Sequence, residues 1–447
     1  MSEKVKTVCH TPMHRTHYRW IVLAIIFAFY MMNFADRANL GVVLPTLKSE
    51  FVLTNMETGA LMSFFFLGYA ITQIPAGLFM SKVGPRGIVA TSIMGFSVFT
   101  FLIGASVNAF MMKWFRFGLG LFEGPSPVGG SATIKNWYPP QEQGFASGVF
   151  MGATSLALIA VPPASVWILL NYGWRMVFWV CAIPGCILSI IWYFFVHGRP
   201  EDSPYCNQAE VDYIHNTTAI EANGTAELNT TGSLGWVDKL IRASKMKQLE
   251  TNMEVFKSWD IWGNALTYFF VGFVTYGLMT WIPSYLVNGR GFSFIKMGWV
   301  ASSPWVGALV GQLLGGWISD KWLYQRRKPN MIFGPICLII MLIVLIHTPD
   351  STSAWVLSII LFLTGGLLNM AWPSYWAYPM GFTTGKTYPT AISIMTTVGN
   401  LSGFFSPLIG GYLLDVYQDW NVVFIFLGVC AALSILMSLT IKEPLRE

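Results

Sequence analysis

The chain has 447 residues, of which 54% are hydrophobic and 11% are charged. Soluble domains carry about 25% charged residues, so this composition excludes an ordinary soluble protein. Apolar runs of about 20 residues, the length that a helix needs to cross a bilayer, recur along the whole chain. The net charge of +5 does not indicate a nucleic-acid partner, because the basic residues cluster in loops, where they set membrane topology. The expected surroundings are a lipid bilayer.

Taken in chain order, the apolar runs predict an all-α membrane protein with twelve transmembrane helices. The predicted spans are 20–45, 58–80, 87–107, 110–134, 144–171, 174–197, 260–288, 296–320, 330–348, 354–378, 390–416 and 420–440. A polar stretch at 198–259 separates the sixth helix from the seventh. We therefore expect a polar N-terminus at 1–19, two six-helix bundles at 20–197 and 260–441 joined by that linker, and a tail at 442–447. The first run is too long and lacks a cleavage site, which argues against a cleavable signal peptide.

The basic residues of the short loops predict the orientation. Lys82, Arg86 and Lys321 are among many Lys and Arg residues in the loops on the side of the N-terminus, whereas the other side has few. Because positive loops stay inside, we expect both termini and the linker to be cytoplasmic, in a bacterial inner membrane.

The sequence shows no signal for chemistry on a substrate. The six cysteines are scattered without metal-ligand spacing, and no metalloprotease or hydrolase motif lies in a suitable setting. We expect no catalytic residue, no metal and no cofactor, which disfavours an intramembrane enzyme. A transport-like sensor is a further alternative, but the linker does not resemble a folded output domain. The expected state is a monomer.

The most informative residues are Asp36 and Arg37, which lie inside the first apolar run. Each such charge costs about 2.5–3.5 kcal/mol at the bilayer centre, so the two must face a protein interior or a water-filled cavity. Arg116 and Glu123 lie seven positions apart in the fourth run, on one helix face and about 10 Å apart along its axis. The four charges predict a substrate and proton site. The alternative is structural, with Asp36–Arg37 and Arg116–Glu123 pairs locking two helices together.

The two halves of the chain echo each other. The second predicted helix ends in Gly77–Lys82 (GLFMSK) and the eighth in Gly316–Lys321 (GWISDK). We expect each glycine to let two helices approach closely, and the basic residues to anchor a turn. Two parallel six-helix halves related by a pseudo-two-fold axis describe the major facilitator architecture.

Four motifs carry a closer resemblance. They are Asp36–Leu40 (DRANL), Gln73–Gly77 (QIPAG), Arg116–Pro125 (RFGLGLFEGP) and Trp281–Leu286 (WIPSYL). With these, nearly the whole chain resembles the anion:cation symporter family of the major facilitator superfamily. That family includes bacterial galactonate, glucarate and phthalate permeases and the animal protein sialin.

The resemblance implies roles for the buried charges. It links Arg116 to recognition of a substrate carboxylate, and Asp36 and Glu123 to proton coupling. We assign Arg37 to substrate binding or charge balance. It also implies a conformational role for Gly77, Ser81, Gly316 and Asp320. Ser81 replaces the usual aspartate, which helps to latch the outward-open state in the superfamily, whereas Asp320 retains it.

Several polar residues are candidates for binding substrate hydroxyls. Tyr69 and Gln73 lie four positions apart, one turn from Pro75. Thr154 stands where the relatives have a substrate-binding glutamine. In the second half, Tyr276 lies near an expected break of the seventh helix and Asn400 lies in the eleventh helix, but the selected candidates are Asn369, Trp372 and Thr396.

The expected function is proton-coupled symport of a small organic anion by alternating access. Sugar acids (hexonates, hexuronates or aldarates) lead, because arginines stand beside candidate hydroxyl-binding side chains. The alternatives are an aromatic or simple carboxylate of the phthalate type, sodium coupling, or anion exchange.

Overall fold

The computed structural model describes residues 15–216, 238–239, 241–324, 326–384 and 387–445. The first half comprises α1 (Arg19–Glu50), α2 (Asn55–Val83), α3 (Pro85–Gly104), α4 (Ala109–Glu123), α5 (Ser126–Trp137), α6 (Pro140–Tyr172), α7 (Trp174–Phe195) and α8 (Gln208–Asn216). The second half comprises β1 (Ala243–Ser244), α9 (Asn252–Lys257), α10 (Trp259–Ser284), α11 (Phe294–Lys321), α12 (Lys328–Ile346), α13 (Ala354–Met370), α14 (Trp372–Ala377), α15 (Tyr388–Tyr417), α16 (Trp420–Thr440) and β2 (Glu443–Pro444). Helices thus build nearly all of the described chain.

Nine segments among the described residues are long and apolar enough to cross a membrane. The protein is therefore an integral membrane protein, and the count of twelve spans stays a prediction. The fourth predicted helix, at 110–134, is not continuous. It breaks between α4, with 15 residues, and α5, with 12, because Pro125 lacks the N–H that the helical ladder needs. The tenth predicted helix, at 354–378, is also interrupted, next to Pro373, between α13 and α14.

The two halves contact each other near one end of the bundle. We call the end where α1 begins and α16 ends the terminal end, and the other the distal end. At the distal end α1 packs on α10, α2 on α15 and α6 on α11. An added Cβ on Gly59 of α2 would lie 2.2 Å from the carbonyl oxygen of Pro407, so these two backbones touch. The distal end is closed.

Each described part of the linker is attached to the half beside it. Glu210 of α8 lies 2.9 Å from the guanidinium of Arg19 at the start of α1. At the other end of the linker, β1 pairs in parallel with β2 of the C-terminal tail. Glu443 of β2 accepts the backbone N–H of Lys328 at 2.7 Å, at the start of α12. The linker therefore fastens to both bundles at the terminal end.

A row of glycines joins α11 to α13. An added Cβ on Gly307, Gly311 or Gly315 would lie 1.9–2.0 Å from a backbone oxygen of α13. Glycines four residues apart share one helix face, which lets the two backbones meet. The close approach expected at Gly316 is wrong, because a Cβ there would meet nothing within 4 Å. The preceding residue, Gly315, makes that contact instead. Successive residues of a helix point about 100° apart, so that Gly315 faces α13 and Gly316 does not.

Candidate functional site

An ion pair between α1 and α4 is the centre of the site. Arg37 donates to Glu123 Oε2 from Nε at 3.1 Å and from Nη2 at 3.0 Å, and Nη2 also donates to Asn33 Oδ1 at 3.1 Å. Both side chains of the pair are buried. The pairing differs from the Asp36–Arg37 and Arg116–Glu123 pairs considered from the sequence. Asp36 on the same helix and Glu123 on another helix are alternative partners for Arg37. In the structure Glu123 binds it.

Two carboxylate oxygens in the site have no hydrogen-bond donor in the described part of the chain. Asp36 Oδ2 accepts a hydrogen bond from Thr100 at 2.9 Å. Among the described residues, no donor reaches Asp36 Oδ1 or Glu123 Oε1, and both atoms are buried. A buried polar atom without a partner is costly, so each oxygen is a place where a proton or a ligand donor would be stabilised.

Arg116 is a buried cation in a different setting. Its Nε donates to the carbonyl of Leu61 and its Nη1 to the backbone carbonyl of Asp36, both at 3.3 Å. Within the described ranges no carboxylate lies within 4.0 Å of its guanidinium, although the residue is 1% exposed. Two long bonds to neutral oxygens compensate a buried charge poorly. Arg116 is therefore a buried cation without a carboxylate partner in the described structure.

Aromatic rings surround the Arg37 guanidinium. Its central carbon lies 4.5 Å from the ring centre of Phe34, 4.8 Å from that of Tyr69 and 5.0 Å from that of Phe65. These distances are in the range of cation–π attraction. They place the predicted site residue Tyr69 beside Arg37, and they hold the guanidinium in a fixed position.

A chain of hydrogen bonds crosses between the two halves beside this cluster. Asn400 of α15 donates to Gln73 Oε1 of α2 at 3.2 Å, and Tyr276 of α10 donates to Asn400 Oδ1 at 3.2 Å. The predicted residue Gln73 is thus connected to two residues that were not selected from the sequence. Asn400 lies one helical turn after Thr396, so the helical period would have been the signal for it.

The other predicted binding residues lie elsewhere. The hydroxyls of Thr154 and Thr396 donate to carbonyls of their own helices at 2.8 and 2.9 Å. Asn369 accepts from Gln312 at 3.2 Å inside the second half. Trp372 packs against a tyrosine ring of α10 at 4.9 Å. The described hydrogen bonds and ring contacts do not bring these four to the charged cluster.

The structure describes only part of the set of residues that we expected to act in conformational change. Gly77, Ser81 and Asp320 are on helices whose backbone is described, but their side chains lie outside the described residues. Gly316 faces open space, as reported above. Their conformational roles stay predictions.

The fold and the site together define a class of protein. Two helical bundles in a membrane, closed on each other at one end around buried ionised side chains, are typical of secondary transporters. The chain belongs to the Major Facilitator Superfamily, whose sequence model matches residues 26–407. It is a membrane transporter and not an enzyme, which confirms the prediction from the sequence.

Similar proteins cover nearly the whole chain. A probable galactarate/D-glucarate transporter of Bacillus subtilis (strain 168) is 29% identical, over 97% of this chain and 94% of the relative. A second one, of Escherichia coli (strain K12), is also 29% identical, over 93% of each chain. A D-galactonate transporter of Escherichia coli O6:H1 (strain CFT073) is 27% identical, over 89% of this chain and 90% of the relative.

A solved structure agrees with the fold. A bacterial homologue of the human lysosomal transporter Spinster, in an inward-facing and unoccupied conformation, superposes with a TM-score of 0.74. The two chains are 18% identical, and the alignment covers 94% of this chain and 97% of the other. The likeness shows the major facilitator fold.

Proposed function

We propose that the protein is a proton-coupled symporter of a sugar acid, such as a hexonate, hexuronate or aldarate. The observation that carries the proposal is the unequal pairing of the two buried arginines. Arg37 is held by Glu123, whereas the hydrogen bonds of Arg116 in the described structure go to carbonyl oxygens alone. Relatives named as transporters of galactarate, glucarate and galactonate support the substrate class.

Protonation of Glu123 is the proposed coupling step. A proton on this carboxyl removes the negative charge that holds Arg37, and the freed guanidinium can then bind a substrate carboxylate with two parallel hydrogen bonds. Arg116 provides a second guanidinium that can bind a substrate carboxylate in the same bidentate way, and Asp36 provides a second proton site through the oxygen that has no donor in the described structure. Proton and anion each favour the binding of the other by the same free energy. This reciprocity makes a proton gradient able to drive uptake.

The hydroxyl groups of a sugar acid have a suitable set of partners. Gln73, Asn400 and Tyr276 form the hydrogen-bonded chain between the halves, next to the ring of Tyr69 that covers Arg37. Amide and phenol groups both donate and accept, as polyol recognition requires. A ligand that replaces this chain would touch both halves at once, which is how a bound substrate can promote alternating access.

The proposed orientation places both termini and the linker in the cytoplasm of a bacterium, with the distal end outside. In this orientation the structure, with its distal end closed, is a state that is closed to the outside of the cell. We further propose that the transporter acts as a monomer, since each chain contains both halves around one site.

A second candidate substrate is an aromatic or simple carboxylate. The rings of Phe34, Phe65 and Tyr69 around Arg37 favour it, because a flat apolar acid would stack in such surroundings. Sodium coupling and anion exchange remain alternatives to proton symport, since buried carboxylates serve all three.

A thermal-shift experiment tests the proposal. The detergent-purified protein is heated with glucarate, galactarate, galactonate or phthalate at pH 5.5 and pH 7.5. A substrate stabilises the folded state by mass action, so a sugar acid should raise Tm, and more so at pH 5.5. Arg116→Lys should lose this shift, because an ammonium group cannot bind a carboxylate bidentately. The matched control Arg290→Lys, at the distal end, should retain it.

Each result decides between the candidates. A shift with phthalate alone would replace the sugar acid by the aromatic acid. A shift that is equal at the two pH values would contradict proton coupling. A full thermal shift in Arg116→Lys would contradict bidentate binding of the substrate carboxylate by Arg116.

A further inference from the structure

The first turn of α2, at the distal end, has four backbone N–H groups without partners in its own helix. Thr54 satisfies one of them, because its Oγ1 accepts the N–H of Glu57 at 3.1 Å. The Glu57 carboxylate in turn accepts the N–H of Thr54 at 3.0 Å, and the N–H of Thr58 reaches the carbonyl of Thr54 at 3.0 Å. This leaves the N–H groups of Asn55 and Met56.

A carboxylate from the other half binds both of these groups. Asp415, near the end of α15, accepts the N–H of Asn55 on Oδ1 at 2.8 Å and the N–H of Met56 on Oδ2 at 2.7 Å. The side-chain amide of Asn55 also donates to Asp415 Oδ1 at 2.8 Å, and Lys48 of α1 donates to Asn55 Oδ1 at 2.5 Å. One carboxylate therefore completes the cap of a helix that belongs to the opposite bundle.

The surrounding backbones fit this arrangement. An added Cβ on Gly411, one turn before Asp415, would lie 2.3 Å from the carbonyl oxygen of Asn55. The two helices are thus in direct contact where the carboxylate bridges them. A negative charge at a helix N-terminus is favourable, and bonds to a charged acceptor are about twice as strong as neutral ones. The bridge can persist only while the distal end is closed.

We propose that Asp415 is a positioning residue for transport, which holds the distal end closed by capping α2 from the other half. Opening toward the distal side must separate α2 from α15, and the N–H groups of Asn55 and Met56 then pass to water. Asp415 thereby sets the ratio of distal-closed to distal-open molecules. It touches neither Arg37 nor Arg116 in the described structure, so it acts on the direction of opening and not on anion recognition. The inference rests on the transporter class and on neither the substrate nor the coupling ion.

Distance measurements between spin labels test the inference without any substrate. Labels at Val107 and Trp355, which are 70% and 82% exposed at the distal end of the two halves, report opening. The labels are placed on a background without native cysteines. Asp415→Asn removes the charge at nearly constant size, and Asp415→Ala removes the side chain. Both should raise the ratio of distal-open to distal-closed molecules about tenfold or more, seen as a longer distance component.

Asp419→Asn is the matched control. Asp419 lies four residues further along the distal end and caps α16 of its own half, where it accepts the N–H of Asn421 at 2.9 Å. Asp419 uses one oxygen for one N–H, for which asparagine is an equally good cap, whereas Asp415 uses both oxygens. The Asp419→Asn variant should therefore keep the wild-type distances. Asp415→Glu, which retains the charge, should shift the ratio less than Asp415→Asn.

Two outcomes of the distance measurements would overturn the proposal. The first is a set of distances in Asp415→Asn and Asp415→Ala that equals the wild-type set. The second is an equal change in Asp419→Asn, which would show a general effect of charge at this end. An unaltered thermal shift with substrate in Asp415→Asn would agree with a role in opening alone, whereas loss of that shift with unchanged distances would place Asp415 in recognition and contradict the proposal.

Discussion

At the scale of single residues, the site can respond to a proton because protonation of a carboxyl changes the partners of its four buried charged groups. Glu123 holds Arg37 by two hydrogen bonds to one oxygen, and its second oxygen has no donor in the described structure. The hydrogen bonds of Arg116 go to carbonyl oxygens alone among the described residues. Loss of the charge on Glu123 would free Arg37 from its carboxylate partner and raise the net charge of the four groups by one, which favours anion binding.

Glu123→Gln should abolish proton-driven accumulation of substrate while exchange of bound substrate continues. Glutamine keeps the size of the side chain but cannot take up or release the coupling proton. We expect uptake into vesicles under a pH gradient to fall about tenfold or more, because the gradient is no longer coupled to movement of the substrate. Counterflow of labelled substrate should remain measurable.

Glu142→Gln is the control for this variant. Glu142 also pairs with an arginine of α1, Arg19, at 2.8 Å, but does so at the terminal end. Its replacement should leave accumulation largely intact. Normal accumulation in Glu123→Gln would show that coupling lies elsewhere, with Asp36 as the next candidate.

At the scale of helices, the contact between α11 and α13 depends on the face that each glycine occupies. Gly311→Ala should destabilise the protein, since the added methyl would meet the carbonyl oxygen of Gly366 at 2.0 Å. That oxygen belongs to a backbone and cannot move without separating the helices. Overpacking of this kind costs about 1–3 kcal/mol, which should lower Tm by several degrees.

Gly316→Ala, on the same helix, is the matched control. A Cβ at this position meets nothing within 4 Å, and alanine favours the helix over glycine. We expect an unchanged or slightly higher Tm by the same thermal unfolding measurement. Equal losses in the two variants would mean that helix propensity, and not the contact with α13, decides the stability.

At the scale of the whole molecule, the two ends of the protein differ. The two bundles meet at the distal end, and the linker is attached to both of them at the terminal end. The orientation in the membrane can be read from reporters. Green fluorescent protein fused after Glu447 should fluoresce in intact bacteria, whereas alkaline phosphatase fused there should be inactive, because it needs an oxidising compartment for its disulfides. Fusion after Gly291, in the distal loop before α11, should give the opposite pair of results. Active phosphatase at Glu447 would reverse the proposed orientation.

The family and the general class were predictable because they depend on local sequence. Apolar runs of membrane length, basic loops and motifs such as Asp36–Leu40 are continuous in the chain, and the match to the Major Facilitator Superfamily confirms the assignment drawn from them. The same holds for the approximate place of the charged cluster. Charges inside a membrane run must face the protein interior, whatever their partners are.

The partners themselves were decided by the tertiary structure. The sequence favours no particular carboxylate for Arg37, and the tertiary structure brings the Glu123 side chain of α4 to it. It contains two adjacent glycines at the end of α11, and the rotation of that helix against α13 selects Gly315. The sequence around Asp415 does not indicate its role, since the N–H groups that it binds lie 359 and 360 residues away along the chain. Contacts between distant segments depend on how helices are rotated and stacked, and a helical period alone does not determine either.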